Sequence, residues 1–283
     1  MSSQLQLMRS FLFVPGNRSD RYEKAATSGC DVMVVDLEDA VASESKDEAR
    51  EQALHYFEVS DSSRVKRYLR INSPKTIHGL KDILALSSCK ASPDGLVLPM
   101  LDSPEEVAWV DDLLGQQHSA LRYLVVVETA LGLENIESIV LSSDRIDAVG
   151  FGSADFTAQT GSDLSWDSLL YARSRIVTAA GMASILAIDG VWPDIKDGKG
   201  LVDETTRVAA LGFSGKIAIH PDQISGIHAA FAPSSEALAR AKEIVEAYEA
   251  ARGGVVKVQG RMIDEPLVIS ARRTIAIGDV ADN

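Results

Sequence analysis

Short β-branched runs alternate with amphipathic stretches along almost the whole chain. That alternation predicts an α/β fold, a (β/α)8 TIM barrel with a C-terminal helical extension and a lid-like tail. Three observations carry the reading. Eight β/α units fit into about 230 residues, near the roughly 250 typical of such barrels. Three of the apolar runs, Asp31–Glu38, Leu124–Glu128 and Ile146–Asp155, close on carboxylates, as buried parallel strands with polar tips do. No Gly-x-Gly-x-x-Gly follows the first run, which disfavours the competing doubly wound sheet in its dinucleotide-binding form.

Strands are predicted over 10–15, 31–37, 67–72, 95–100, 122–129, 147–152, 184–190 and 215–220, each a short apolar run bounded by acids or turn residues. Between them, 19–28, 44–57, 77–88, 103–115, 133–142, 165–181, 202–211 and 222–231 carry helical periodicity. The start at Ser103-Pro104-Glu105-Glu106 combines an N-cap serine, a first-turn proline and acids that complement the helix dipole. An Ala- and Glu-rich helix over about 234–251 follows the eighth unit, and Gly253-Gly254 breaks it. Residues 255–266 read as an extended run and a turn before a last helix at about 266–276. Residues 1–251 are thus expected to form the barrel domain with its flanking helix. Residues 252–283 form a tail too short to fold alone, which must dock on its own barrel or a neighbour's.

The 283 residues are 46% hydrophobic and 24% charged, ample for a large core. A net charge of −13 argues against nucleic acid or an anionic membrane as partner, because phosphate attraction needs basic surface. A local basic cluster can still hold one phosphorylated small molecule. Cys30 and Cys89 form no Cys-x-x-Cys pair and read as reduced, partly buried thiols. No apolar run of 18 residues predicts a membrane-spanning helix. The first eight residues lack the basic start and apolar core of a secretory signal, so a cytoplasmic location is expected.

At the C-terminal ends of barrel strands, where such folds place their chemistry, the acids become candidate ligands. Glu128 and Asp155 follow successive buried runs, and two carboxylates with room for water and substrate oxygens suit Mg²⁺. A helix cap or an ion pair is the alternative for either. Asp36, Glu38 and Asp39 crowd three acids into four residues and need a cation or an arginine close by. Arg70, inside an apolar run with Asn72 just beyond, is suited to pair with Glu38 or with a substrate carboxylate. Arg18, Arg21 and Lys24, behind Pro15-Gly16-Asn17, read either as a phosphate-binding loop or as a solvated helix face. His220 at the eighth strand end reads as structural rather than as a base, and Asp189 is open between lining the site and pairing within the barrel.

Seven segments in order resemble the β subunit of citrate lyase and its relatives, the malyl-CoA and citramalyl-CoA lyases. They are Phe13–Arg18, Val35–Val41, Leu69–Asn72, Val127–Ala130, Gly152–Phe156, Ala218–Pro221 and Gly260–Pro266. The resemblance implies a Mg²⁺-bearing barrel that is a homotrimer or hexamer, acting on an acyl-CoA and a 2-oxo acid. It makes Glu128 and Asp155 the metal ligands and Arg70 the clamp on the substrate carboxylate. It also puts Glu38 and Asp39 behind the metal, Arg18 at substrate or CoA phosphate, and Asp264 over the site of an adjacent protomer as acid/base. Two positions depart from the family pattern: Met100 stands where many relatives carry lysine, and Leu131 where many carry arginine.

The expected activity is Mg²⁺-dependent cleavage, or formation, of a 3-hydroxy-3-carboxyacyl-CoA such as citramalyl-, malyl- or citryl-thioester, giving acetyl-CoA and a 2-oxo acid. Catalysis is expected of Asp264, Arg70 and Glu38, and the CoA handle of Arg18, Arg21 and Lys24. Two rivals are a CoA-independent aldolase for hydroxy-oxo acids, and a lyase β subunit that acts only with an acyl carrier protein.

Overall fold

The structure is a computed structural model describing residues 8–60, 65–89, 92–114, 118–251 and 254–281. Residues 1–7, position 115 at the end of the predicted fourth helix, and Gly253 lie outside the described residues. Eight parallel strands close into a barrel in chain order. They are β1 (Ser10–Pro15), β2 (Val32–Asp36), β3 (Lys66–Arg70), β4 (Gly95–Leu98), β5 (Arg122–Val127), β6 (Ile146–Phe151), β7 (Leu186–Asp189) and β8 (Gly215–Ala218). Among the described residues no helix is long and apolar enough to cross a membrane, and Cys30 and Cys89 are both buried.

Strand side chains alternate between the two faces of a barrel wall. Phe11, Val32, Val34, Tyr68, Val97, Leu124, Val126, Ala148, Ile188 and Ile217 meet in one interior cluster. The residues of opposite parity, such as Met33, Val35, Leu69 and Val125, are buried instead beneath the surrounding helices. Three charged residues continue the inward parity of their strands. Asp36 follows Val32 and Val34, Arg70 follows Tyr68, and Glu128 follows Leu124 and Val126.

Two helices depart from the sequence pattern. An unpredicted helix, Ser153–Thr160, opens directly behind β6. Its polar, short sequence hides it from periodicity, and Gly161 in the left-handed region (φ 72°) ends it. The predicted 133–142 helix divides into Ala130–Glu134 and Ile136–Val140, because Thr129 caps the chain early by accepting from the Gly132 amide and Asn135 interrupts it.

Asp189 and Lys216 have outward parity and are wholly buried between the barrel and its helices. The Lys216 ammonium donates to Asp189 (2.5 Å) and Glu204 (2.9 Å), and Arg173 donates to both oxygens of Asp189 (2.9 and 3.2 Å). Burial opposes the charge on Asp189, but Lys216 and Arg173 outweigh it and hold the carboxyl below its ordinary range. The Arg173 guanidinium also stacks over Trp166 at 5.0 Å. Asp189 therefore pairs within the fold and lies outside the cavity described below.

By packing, the chain divides into one unit, Met8–Ile227, which holds the barrel, and a second that runs from His228 onward. In the second, helix Ser235–Ala250 packs with a hairpin, β9 (Val256–Val258) and β10 (Arg261–Ile263), and with helix Glu265–Ala281. Val258, Ile263 and Val268 form a small core against Ile244, Val245 and Tyr248. The helix read from sequence as flanking the barrel thus shares its core with the tail. The hairpin turns at Gln259-Gly260, both at positive φ (49° and 81°), as a two-residue turn between twisted strands requires.

Asp189→Ala is expected to strand two buried cations and to destabilise the barrel by about 3–5 kcal/mol in urea denaturation.

Candidate active site

A cavity of about 390 Å³ opens where β1, β2, β3, β5 and β6 end. It is lined by Asp36, Asp39, Arg70, Glu128 and Asp155 on its polar side. Strand register builds that side. Asp36 and Arg70 are direct partners across β2 and β3, so the last inward-facing residues of both strands meet. The Arg70 guanidinium donates through Nε and Nη2 to the two oxygens of Asp36, both at 2.7 Å. Asp36 also accepts from the Glu38 amide (2.9 Å) and the Ala40 amide (3.3 Å), so it organises the loop that follows it. Lys46 ties the same loop down by donating to the carbonyls of Leu37 and Glu38, each at 2.9 Å.

Glu38 stands on the other side of the guanidinium, 2.9 Å from Nη1, with Asp39 at 3.6 Å. That oxygen of Glu38 is at ion-pair distance without hydrogen-bond alignment, so it is buried with its lone pairs unmet. Burial pushes the Glu38 carboxyl up to about 9; Arg70 pulls it down, and the nearby carboxylates push it up again. Burial works against the charge of Arg70, yet Asp36, Glu38 and Asp39 prevail and raise its pKa above the ordinary value. The guanidinium lies 5.0 Å over the Phe13 ring.

Glu128 is one residue past β5 and only 3% exposed. Its Oε1 accepts from the Met100 amide at 2.6 Å. Met100 presents that amide from a left-handed backbone (φ 56°), a conformation that costs about 1–3 kcal/mol in a residue with a side chain and persists where surroundings enforce it. The surroundings do so here. Thr129 donates to Asp102 (2.5 Å), Asn135 to the Asp102 carbonyl (2.8 Å), and Lys75 to the Asp102 carboxylate (2.5 Å). A Cβ on Gly152 would stand 2.3 Å from both Cβ and Oε2 of Glu128, so this glycine makes room for the acid. Burial pushes the Glu128 carboxyl up to about 7, with the Met100 amide and Arg70 opposing and Asp155 adding to the rise. Asp155 is raised too, by burial and then by Asp39. It sits in the first turn of helix Ser153–Thr160, not on a strand tip as its sequence run suggests.

Two carboxylates on one cavity, both held above their ordinary range, are short of positive charge, and a hard divalent cation supplies it. Among the described residues no group of three or more His, Cys, Asp or Glu side chains is arranged to hold a metal. Two carboxylates lining one cavity, Glu128 and Asp155, fit an ion that takes few protein ligands and completes its shell from water and substrate, as Mg²⁺ does.

The structure thus brings Asp36, Glu38, Asp39, Arg70, Glu128 and Asp155 together. Asp36 is the principal partner of Arg70, where the sequence favours Glu38; its shared parity with Val32 and Val34 is the signal that marks it. Arg21 and Lys24 line an adjoining cavity of about 450 Å³ with Asp20 and His220. Arg18 lines neither cavity and makes a two-point ion pair with Asp20, each contact 2.8 Å. His220 caps the turn at Pro221 by accepting from the Asp222 amide. Asp264 lies in the second unit, exposed where β10 gives way to the last helix.

Gly152→Ala is expected to displace Glu128 and to weaken binding of a divalent cation at least about tenfold in titration calorimetry, with the circular dichroism spectrum unchanged. Stability should also report on Glu128. Its folded pKa of about 7 exceeds the ordinary 4.5, so the folded state holds this proton the more tightly. The stability it confers is full below about 4.5 and is lost as pH rises to about 7, a fall of about 3 kcal/mol. In metal-free urea denaturation, Glu128→Gln should show that much less loss between pH 5 and pH 8 than the unsubstituted protein.

Known proteins share this sequence and this architecture. The chain is 34% identical to the mitochondrial citramalyl-CoA lyase of Homo sapiens, the match covering 95% of this chain and 85% of that enzyme. It is 31% identical to the citrate lyase subunit beta of Leuconostoc mesenteroides subsp. cremoris, over 97% of this chain and 94% of that subunit. The crystal structure of the CitE protein of Mycobacterium tuberculosis in complex with magnesium, acetoacetate and coenzyme A superposes with a TM-score of 0.83. That match is 30% identical and covers 96% of this chain and 98% of that one. The sequence profile of the HpcH/HpaI aldolase/citrate lyase family matches residues 9–221, and with these lyase relatives it establishes that the chain belongs to that family.

Proposed function

We propose that the protein is a Mg²⁺-dependent carbon–carbon lyase that cleaves a 3-hydroxy-3-carboxyacyl-CoA into an acetyl thioester and a 2-oxo acid, or joins them in reverse. The observation that carries this reading is a pair of charge-starved carboxylates, buried Glu128 and exposed Asp155, beside a fixed guanidinium in one barrel mouth. The magnesium- and CoA-bound relative supports it from outside the molecule. Glu128 and Asp155 would hold the ion. When bound, Mg²⁺ supplies Lewis acidity that lowers the pKa of the substrate hydroxyl and steadies the oxygen as it becomes a carbonyl.

The remaining work falls to the chain. Asp36 takes two of the five N–H groups of Arg70, and Glu38 sits against Nη1 without a hydrogen bond, so the guanidinium keeps N–H groups for one substrate carboxylate. The amides at the head of helix Ser153–Thr160 have no preceding turn to accept from them and lie on the same cavity, adding donors for that carboxylate. Fixing the carboxylate aligns the bond to be broken with the thioester carbonyl. The hydroxyl loses its proton, its electrons form the new C=O, and the C–C pair moves onto the carbon next to the thioester. A proton then converts that enolate to the acetyl thioester, so no other reactant is consumed. We assign this proton to Asp264, carried by the tail of a neighbouring copy, on the resemblance of Gly260–Pro266 to the family's tail motif. Arg21 and Lys24, lining the adjoining cavity, suit the phosphates of CoA.

The test is release of a 2-oxo acid and acetyl-CoA from citramalyl- or malyl-CoA with Mg²⁺. Glu128→Ala should abolish the metal dependence and most activity, and Asp264→Asn should lower kcat by about 10²–10⁴ with the fold intact. Full activity of metal-stripped Glu128→Ala would overturn the metal assignment. Cleavage of free hydroxy-oxo acids instead would favour the aldolase reading, and activity only with acyl carrier protein the subunit reading.

A further inference from the structure

We infer that this site is specific for a 2-oxo acid with a single carboxylate and a small apolar substituent, and that it rejects one carrying a second carboxylate. The inference rests on the lyase reading above and adds the identity of the substituent on the carbonyl carbon. It follows from charge and surface. Among the described residues that line the cavity, four are carboxylates (Asp36, Asp39, Glu128 and Asp155) and one, Arg70, is a cation. Asp36 takes two N–H groups of Arg70 and Glu38 crowds its Nη1, which leaves the guanidinium room for one carboxylate in two-point contact. A divalent ion would be shared between Glu128, Asp155 and the hydroxyl and carboxylate of that same end. Among the described residues no lysine, histidine or further arginine lines the cavity to receive a second carboxylate.

What the cavity offers in its place is hydrocarbon. Phe13, Val126, Phe151, Val191, Ile217 and Ile219 make up half of the remaining lining residues. Val126 and Ile217 belong to the barrel's interior cluster, and Phe13 and Val191 pack against it, so this wall is the exposed top of a rigid core. A methyl group against it gains about fourfold in binding, the worth of one buried carbon. A carboxylate there loses its water without gaining a partner and faces net negative charge, a penalty of about 100-fold or more. Met100, whose amide reaches Glu128, adds no charge there.

Two measurements on the full-length, Mg²⁺-loaded protein test this. First, kcat/KM is compared for malyl-, citramalyl- and citryl-CoA. Citramalyl-CoA should lead, malyl-CoA should follow within about tenfold, and citryl-CoA should fall about 100-fold or more below. Second, pyruvate, glyoxylate and oxaloacetate are titrated calorimetrically, with pyruvate expected to bind about 100-fold more tightly than oxaloacetate. Citryl-CoA or oxaloacetate within about tenfold of its methyl counterpart overturns the inference and leaves the lyase reading standing. Failure to cleave any thioester overturns the lyase reading, and the titration still decides the selectivity of the cavity. Ile219→Lys, which adds a cation at the rim of the apolar wall, should narrow the gap between pyruvate and oxaloacetate at least about tenfold. An unchanged gap in that variant counts against the wall as its source.

Discussion

The two-point pairing of Asp36 with Arg70 is the interaction on which the barrel mouth depends. It joins the ends of β2 and β3 through the side chains of the last register pair of their backbones. Asp36 is 1% exposed, and a buried pair of this kind loses about 3–5 kcal/mol when one partner is removed, because the other charge is left without water or counter-ion. The same carboxylate accepts the amides of Glu38 and Ala40, so the loop that carries Glu38 and Asp39 is shaped by the residue that fixes the guanidinium. Arg70 therefore reaches the cavity already oriented, with its remaining N–H groups free of rotational choice.

Around that fixed cation the site gathers more negative charge than one arginine balances. The consequence is visible at Glu38, Glu128 and Asp155, all held above the ordinary carboxylate range, with burial as the leading cause at each. Such an arrangement is costly for the empty protein and favourable for a cation-bound one. The chain maintains it by constraint: a left-handed Met100, an amide turned onto Glu128, and a glycine at 152 where any Cβ would collide. These backbone features are the counterpart of the strain that functional sites retain.

A second group of buried charges, Asp189, Lys216, Arg173 and Glu204, shows the opposite solution. Its cations and anions are matched and hydrogen-bonded, and Asp189 is held below its ordinary range. Parity separates the two groups. Side chains in step with Val34, Tyr68 and Val126 point into the mouth, and those in step with Ala187 or Ala218 point out toward the helices. One residue of register moves a charge from a reaction site to a structural clasp.

The eight-strand barrel was legible because parallel strands buried on both faces must be apolar runs, and such runs separated by amphipathic stretches leave few other folds open. Glu128 and Arg70 were legible for a related reason, since a charge at the end of a buried run stands out against its neighbours. The helix Ser153–Thr160 was not, because eight mostly polar residues give no periodic signal, and with it went the local setting of Asp155. The preference of Arg70 for Asp36 over Glu38, the amide of Met100 on Glu128 and the collision that reserves position 152 for glycine are contacts between residues 24 to 34 positions apart in the chain. Chain order alone thus determined which strands exist and which acids and bases end them. Only tertiary structure decided how those groups pair, because pairing depends on register and on who loses water together, and neither is written in the order of residues along one strand.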